Sequence, residues 1–84
     1  SMKNILLKNT MLRNSCLNEN ETKNIILKEA DLTRTQFFKT SLKAVDLSDS
    51  IIEGIAISIE DIKGAIINEF QSLDLMYLLG LKIK

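Results

Sequence analysis

The 84-residue chain has no histidine and one cysteine. Without histidine it loses the commonest general base and metal ligand, and a single thiol can neither close an internal disulfide nor complete a zinc set. There is no G-x-S-x-G elbow and no glycine-rich phosphate loop, the whole chain holding three glycines. The usual nucleophile–base pairs therefore cannot be assembled, and the expectation is a non-enzymatic protein with no catalytic residue, cofactor or metal. Net charge is missing too. Eleven Lys and Arg balance eleven Asp and Glu, so nothing marks the chain as seeking nucleic acid. The longest apolar run, Leu75 to Leu79, has five residues, far short of a membrane span, and Ile5 to Leu7 is too short for the core of a signal peptide. A lone cysteine fits a reducing compartment, and the cytoplasm is the expected location. At 45% apolar residues the chain is expected to fold as one small domain.

What is present is a repeat. Ala30 to Asp49 reads A-D-L-T-R, T-Q-F-F-K, T-S-L-K-A, V-D-L-S-D, four five-residue units with Leu or Phe third and a small or branched residue first. A period of five is neither the 3.6 of a helix nor the 2 of a half-buried strand. Every fifth residue from Leu7 gives Leu7, Leu12, Leu17, Thr22, Leu27, Leu32, Phe37, Leu42, Leu47, Ile52 and Ile57, with Thr22 the only polar member. The residues two before them, from Ile5 and Thr10 to Ser50 and Ile55, are mostly small or β-branched; Asn20 fits worst.

A-D-L-T-R and V-D-L-S-D resemble the A-(D/N)-L-x-x signature of the pentapeptide-repeat family, and the resemblance covers roughly residues 5–59, about eleven units. It implies an all-β solenoid, a right-handed quadrilateral β-helix with one unit per side and about twenty residues per coil. The central residues and those two before them would point inward, making Leu7, Leu12, Leu17, Leu27, Leu32, Phe37, Leu42, Leu47, Ile52 and Ile57 the core. Residues twenty apart should then stack. The sequence agrees in that Ile5, Ile25 and Val45, three large branched residues at a normally small position, fall on one side. The Asn20 to Asn24 unit is the weak corner. Ser1-Met2 reads as a cleavage scar before a start codon or truncation point, and nothing caps the first coil, so either coils are expected upstream of Ile5 or the open end pairs with something.

Residues 60–84 read as a C-terminal cap. Ser58-x-x-Asp61 resembles a capping box, Gly64 ends the short helical turn after it, and Ala65 to Ile67 form a brief extended stretch. Asn68 with Gln71 opens a second helix, expected over Glu69 to Leu79 and stopped by Gly80. That helix is apolar nearly all round, which predicts burial nearly all round. Phe70, Leu73, Leu75, Met76, Tyr77, Leu78 and Leu79 are thus a candidate interface, either closing the last coil with help from Ile66, Ile67, Leu81 and Ile83, or forming a two-fold dimer, as the resemblance implies for some members.

The remaining polar residues have structural readings. Asp31 and Asp46 precede inward residues and should face solvent, as should Cys16; Asn9, Asn14 and Asn24 end their units, where Asn tolerates turn geometry. Glu19 and Lys39 should pair across coils, while Lys8 stacks on Lys28 and Lys23 on Lys43. Outward apolar residues Leu6, Met11, Ile26, Phe38 and Ile51 could form a patch. The functional expectation is a rigid protein-interaction scaffold with an unidentified protein partner. The alternative implied by the resemblance is a DNA mimic that binds DNA gyrase and confers quinolone or toxin resistance. Mimicry needs a negative stripe in place of phosphates, whereas residues 5–59 carry seven acidic and seven basic side chains.

Overall fold

In the computed structural model, residues 4–18, 24–81 and 84 are described. Four short strands are present: β1 (Asn4–Lys8), β2 (Cys16–Asn18), β3 (Asn24–Lys28) and β4 (Gln36–Phe38). Two helices follow, α1 (Ile59–Ile62) and α2 (Gln71–Leu75), the second tightening into a 3₁₀ turn over Met76–Leu79. Strand β1 pairs with β3 and β2 with β4, both in parallel, so that Leu7 lies beside Leu27 and Leu17 beside Phe37. Isolated bridges join Met11 to Asp31, Asp31 to Ile51, Gln36 to Ala56 and Asp46 to Ile66. Every one of these pairs is offset by twenty residues. The chain therefore returns alongside itself once per twenty residues, the stacking that the five-residue register requires.

The corners explain how. Asn9, Asn14, Glu29, Arg34, Lys39, Ala44, Gly54 and Gly64 all have positive φ, and all occupy the last place of a unit. A left-handed residue there turns the chain between one unit and the next, and the parallel pairs recur after four units. Asn9 and Asn14 suit the place because their short polar side chains tolerate it. Asn24 opens β3. The other positions of the Asn20 to Asn24 unit, Thr22 included, lie outside the described residues, as do Glu19 and Lys23 of the expected charge stacks.

Inside the coils Leu32, Leu42, Leu47 and Ile55 are fully buried, with Ile25, Leu27, Ala30, Phe37, Ile52 and Ile57 around them. Leu7, Leu12 and Leu17 pack against this core but are only half-buried, because they belong to the first coil and have neighbours on one side. Two buried hydroxyls are satisfied by the backbone of a neighbouring coil. Thr35 Oγ1 donates to the Leu12 carbonyl at 2.6 Å, and Ser50 Oγ accepts from the Ala30 N–H at 3.2 Å. Buried Thr40 and Thr33 are instead satisfied within their own turns, by the Phe38 carbonyl and the Asp31 carboxylate, so small polar residues fit the core where either a neighbouring coil or the local turn supplies a partner.

The winding runs past residue 59. Leu42 N–H donates to the Asp61 carbonyl, Ala44 to Gly64 and Leu47 to Ile66, at 2.7–2.9 Å. Ile62 and Ile67 continue the inward series and pack on the core. The boundary expected between 59 and 60 therefore falls inside a coil, and Ile66, expected to cover the cap, is instead an outward residue bridged to Asp46 and half exposed. The expected capping contact at Ser58 is present, its Oγ accepting from Asp61 N–H at 3.2 Å. The second helix is shorter than Glu69 to Leu79. Asn68 Oδ1 accepts from both Phe70 and Gln71 N–H at 2.9 Å, which holds the chain in a turn until Gln71.

Two expected outcomes check the register and the corners. Phe37→Asp removes packing worth about 3–5 kcal/mol and buries a charge, so it should unfold the chain, whereas exposed Gln36→Asp should shift the thermal midpoint little. Equal effects would overturn the register. Ala44 has φ 66°, so Ala44→Gly should stabilise by about 1 kcal/mol. Gly54→Ala should destabilise by at least about that much, since its φ is 73° and a new Cβ would sit 3.0 Å from Arg34 Cγ; denaturant midpoints distinguish the two.

Candidate interaction surface

The cap is fastened by two amides. Asn68 Nδ2 donates to the Ser48 carbonyl, and Gln71 Nε2 donates to the Leu47 and Ser50 carbonyls, each at 2.7 Å. Gln71 Oε1 accepts from Asn68 N–H at 2.9 Å while Asn68 Oδ1 accepts from Gln71 N–H, so the pair is a reciprocal capping box. Gln71 is buried. Its side chain adds a second donor to the Leu47 carbonyl, which already accepts from Ser50 N–H, and a donor to the Ser50 carbonyl. The sequence marked Gln71 only as a helix signature; its inward reach was not legible, because nothing in the repeat shows which carbonyls it meets.

With the helix anchored there, its apolar residues divide. Leu75 and Leu78 pack against the core and Met76 is half-buried, so this half acts as a lid. Phe70 is 77% exposed, and Leu73, Tyr77 and Leu79 are also exposed. The expectation that the helix is buried nearly all round is therefore corrected within a single chain: a short helix resting on one end of a narrow rod can cover that end with only one face. Between lid and last coil lies an apolar cleft of about 210 Å³, walled by Ile59, Ile62, Ala65 and Ile67 on one side and Leu75, Leu78 and Leu79 on the other. Leu81, expected to help close it, is exposed, and Ile83 lies outside the described residues. Burial, with Asp74 nearby, raises the Tyr77 hydroxyl above its ordinary pKa, which keeps it a neutral donor.

The sides of the rod carry a second apolar set. Leu6, Met11, Ile26, Phe38 and Ile51 are all exposed. Leu6 and Ile26 are cross-coil neighbours beside the pair Lys8 and Lys28, but Asp31 separates Met11 from Ile51, so the column is interrupted. Lys39 Nζ lies 5.3 Å from the Phe38 ring centroid, a cation–π contact that covers part of that ring. Cys16 is an exposed free thiol. Among the described residues no cluster of three or more His, Cys, Asp or Glu could hold a metal ion, and no described helix is long and apolar enough to cross a membrane.

Asp31 and Asp46 are turn clasps. Asp31 Oδ1 accepts from Thr33 Oγ1 at 2.5 Å and Thr33 N–H at 3.1 Å, and Arg13 Nε is 3.7 Å from its other oxygen. Asp46 Oδ1 accepts from Ser48 Oγ at 2.6 Å and its N–H at 2.9 Å. These donors, the hydroxyls first, hold both carboxyls below their ordinary pKa. The D-x-T and D-x-S spacing in the sequence is this clasp.

No family model, no curated protein and no solved structure matches the chain.

A carboxyl whose folded pKa is depressed stabilises fully above its unfolded pKa, near 4, and loses that contribution as the pH falls through the lower folded value. The thermal midpoint should therefore hold from neutrality to about pH 4 and fall below it. Asp31→Asn with Asp46→Asn should flatten that acid limb and lower the midpoint at pH 7, read by circular dichroism; a variant as acid-sensitive as the parent would show that the clasps contribute nothing.

Proposed function

We propose that this chain is a pentapeptide-repeat protein, its coils winding as a right-handed quadrilateral β-helix, and that it acts in the cytoplasm as a non-enzymatic scaffold. The twenty-residue parallel ladder and the five-residue spacing of left-handed corners support the fold reading. One observation carries the functional reading: Phe70, Leu73 and Tyr77, spaced three and four apart, are exposed on a helical cap that buried Gln71 fixes to the rod. Exposed apolar groups on a rigid mount form an interaction patch. Aromatic Phe70 and Tyr77 are the side chains from which binding hot spots are built. The partner is a protein, with no direct contact to nucleic acid.

A second copy of the chain is the simplest such partner, which would make a two-fold dimer through the cap. Leu75 and Leu78 hold the lid, so a test of the patch must spare them. Phe70→Lys with Leu73→Lys should leave the circular dichroism unchanged. If light scattering then shows a smaller particle, the cap mediates self-association; an unchanged mass assigns the patch to a different protein. DNA mimicry remains the alternative, disfavoured because the coils carry no acidic excess to stand in for phosphates. The chain, at stoichiometric excess over DNA gyrase at two salt concentrations, should leave supercoiling unaffected. Salt-sensitive inhibition would replace the scaffold reading with mimicry.

A further inference from the structure

The zero net charge is unevenly spread. Residues 1–44 hold eight basic and four acidic side chains, whereas residues 45–84 hold three basic and seven acidic. Because each coil lies on the one before it, this division in sequence is a division along the rod, with the acidic half toward the cap. Between Val45 and Leu81 the one cation is Lys63. It belongs to the unit whose Gly64 packs against the Lys43 side chain.

The exposed stripe of the cap falls in that acidic half. Phe70, Leu73 and Tyr77 are exposed, and so is Glu69 immediately before them. Burial and then the Asp74 charge raise the Tyr77 phenol pKa, which places that carboxylate beside the stripe. Exposed Asp49 stands one coil below Glu69, next to the bond from Asn68 to Ser48. Among the described residues the one ion pair joins Arg13 to Asp31, so Glu69 and Asp74 have no cation partner there.

We infer that the stripe takes a cationic amphipathic helix of another protein, whose apolar face meets Phe70, Leu73 and Tyr77 while Lys or Arg on its flanks meet Glu69, Asp74 and Asp49. This rests on reading the stripe as an interaction surface. The spacing selects a helix: from Phe70 to Tyr77 the exposed face runs about 10–12 Å, the distance over which a partner helix presents its own residues at i, i+3 and i+7. Charge selects the sign. Two caps facing each other would bring together four carboxylates and no cation from residues 64–81, so a second copy meets the shape of the stripe but not its charge. A helix with flanking cations meets both. The apolar contacts then supply most of the affinity, and the charges set orientation and association rate.

The test titrates the isotopically labelled full chain with two synthetic helical peptides that share one leucine-lined face, the first flanked by lysines and the second by glutamates. The lysine peptide should bind with amide shifts centred on residues 70–79, and its affinity should fall several-fold between low and physiological salt. The glutamate peptide should not bind. Glu69→Gln with Asp74→Asn should weaken the lysine peptide about fivefold and flatten the salt dependence, with circular dichroism unchanged. Phe70→Ala should weaken it about tenfold, which separates docking on the stripe from attraction by charge alone. Equal binding of both peptides at the cap overturns the inference and leaves the stripe as an interaction surface. Shifts centred on other residues overturn the inference, and no binding by either peptide to a monomeric chain overturns that reading of the stripe as well. A wild-type dimer that Phe70→Lys with Leu73→Lys dissociates overturns the inference by giving the stripe to a second copy.

Discussion

Twenty residues is the length that governs this molecule. A backbone that hydrogen-bonds to itself at that offset must put like beside like, because residue and partner always hold the same place in their units. Leu stacks on Leu or Phe, Lys8 on Lys28 and Met11 on Asp31, whatever their individual preferences. The ladder also fixes the corners. Most sides end in a residue that turns the chain, which is why residues as unlike as Asn14, Arg34, Ala44 and Gly54 share left-handed backbone, although Asp49 ends its side without it. Side-chain identity there is secondary to conformation, and Ala44 carries the strain of a Cβ where glycine would carry none.

From this constraint follows a division between what the sequence discloses and what it conceals. The inward series is readable from Leu7 to Ile57 because every member but Thr22 is large and apolar. The same step leads on to Ile62 and Ile67, but there a helical capping signal at Ser58 competes with the repeat. Both are real. The helix α1 replaces part of one side without moving the ladder, as the bonds from Leu42 to Asp61 and Ala44 to Gly64 demonstrate. Local capping chemistry and long-range pairing can therefore coexist in one unit, and a reading that makes them exclusive places the boundary too early.

The cap was legible in kind but not in attitude. Apolar residues on all sides of a helix signal that something covers them, and Leu75 and Leu78 do meet the core. The sequence has no term for the size of the surface to be covered. A rod about 22 Å across offers its cap one small end, so Phe70, Leu73 and Tyr77 remain uncovered in the single chain. Gln71 was similarly hidden: its importance lies in two carbonyls from distant positions, Leu47 and Ser50, that reach its amide only once the coil is wound.

That convergence limits how such a chain can change in length. Adding or removing one five-residue unit before Gln71 would rotate everything after it by one side, and the amide would meet an outward surface instead of the Leu47 and Ser50 carbonyls. A whole coil, by contrast, presents the same carbonyls in the same orientation. Lineages of this protein should therefore grow and shrink in steps of twenty residues, with the cap carried along unchanged, so that reach varies while the fastening at the end stays constant.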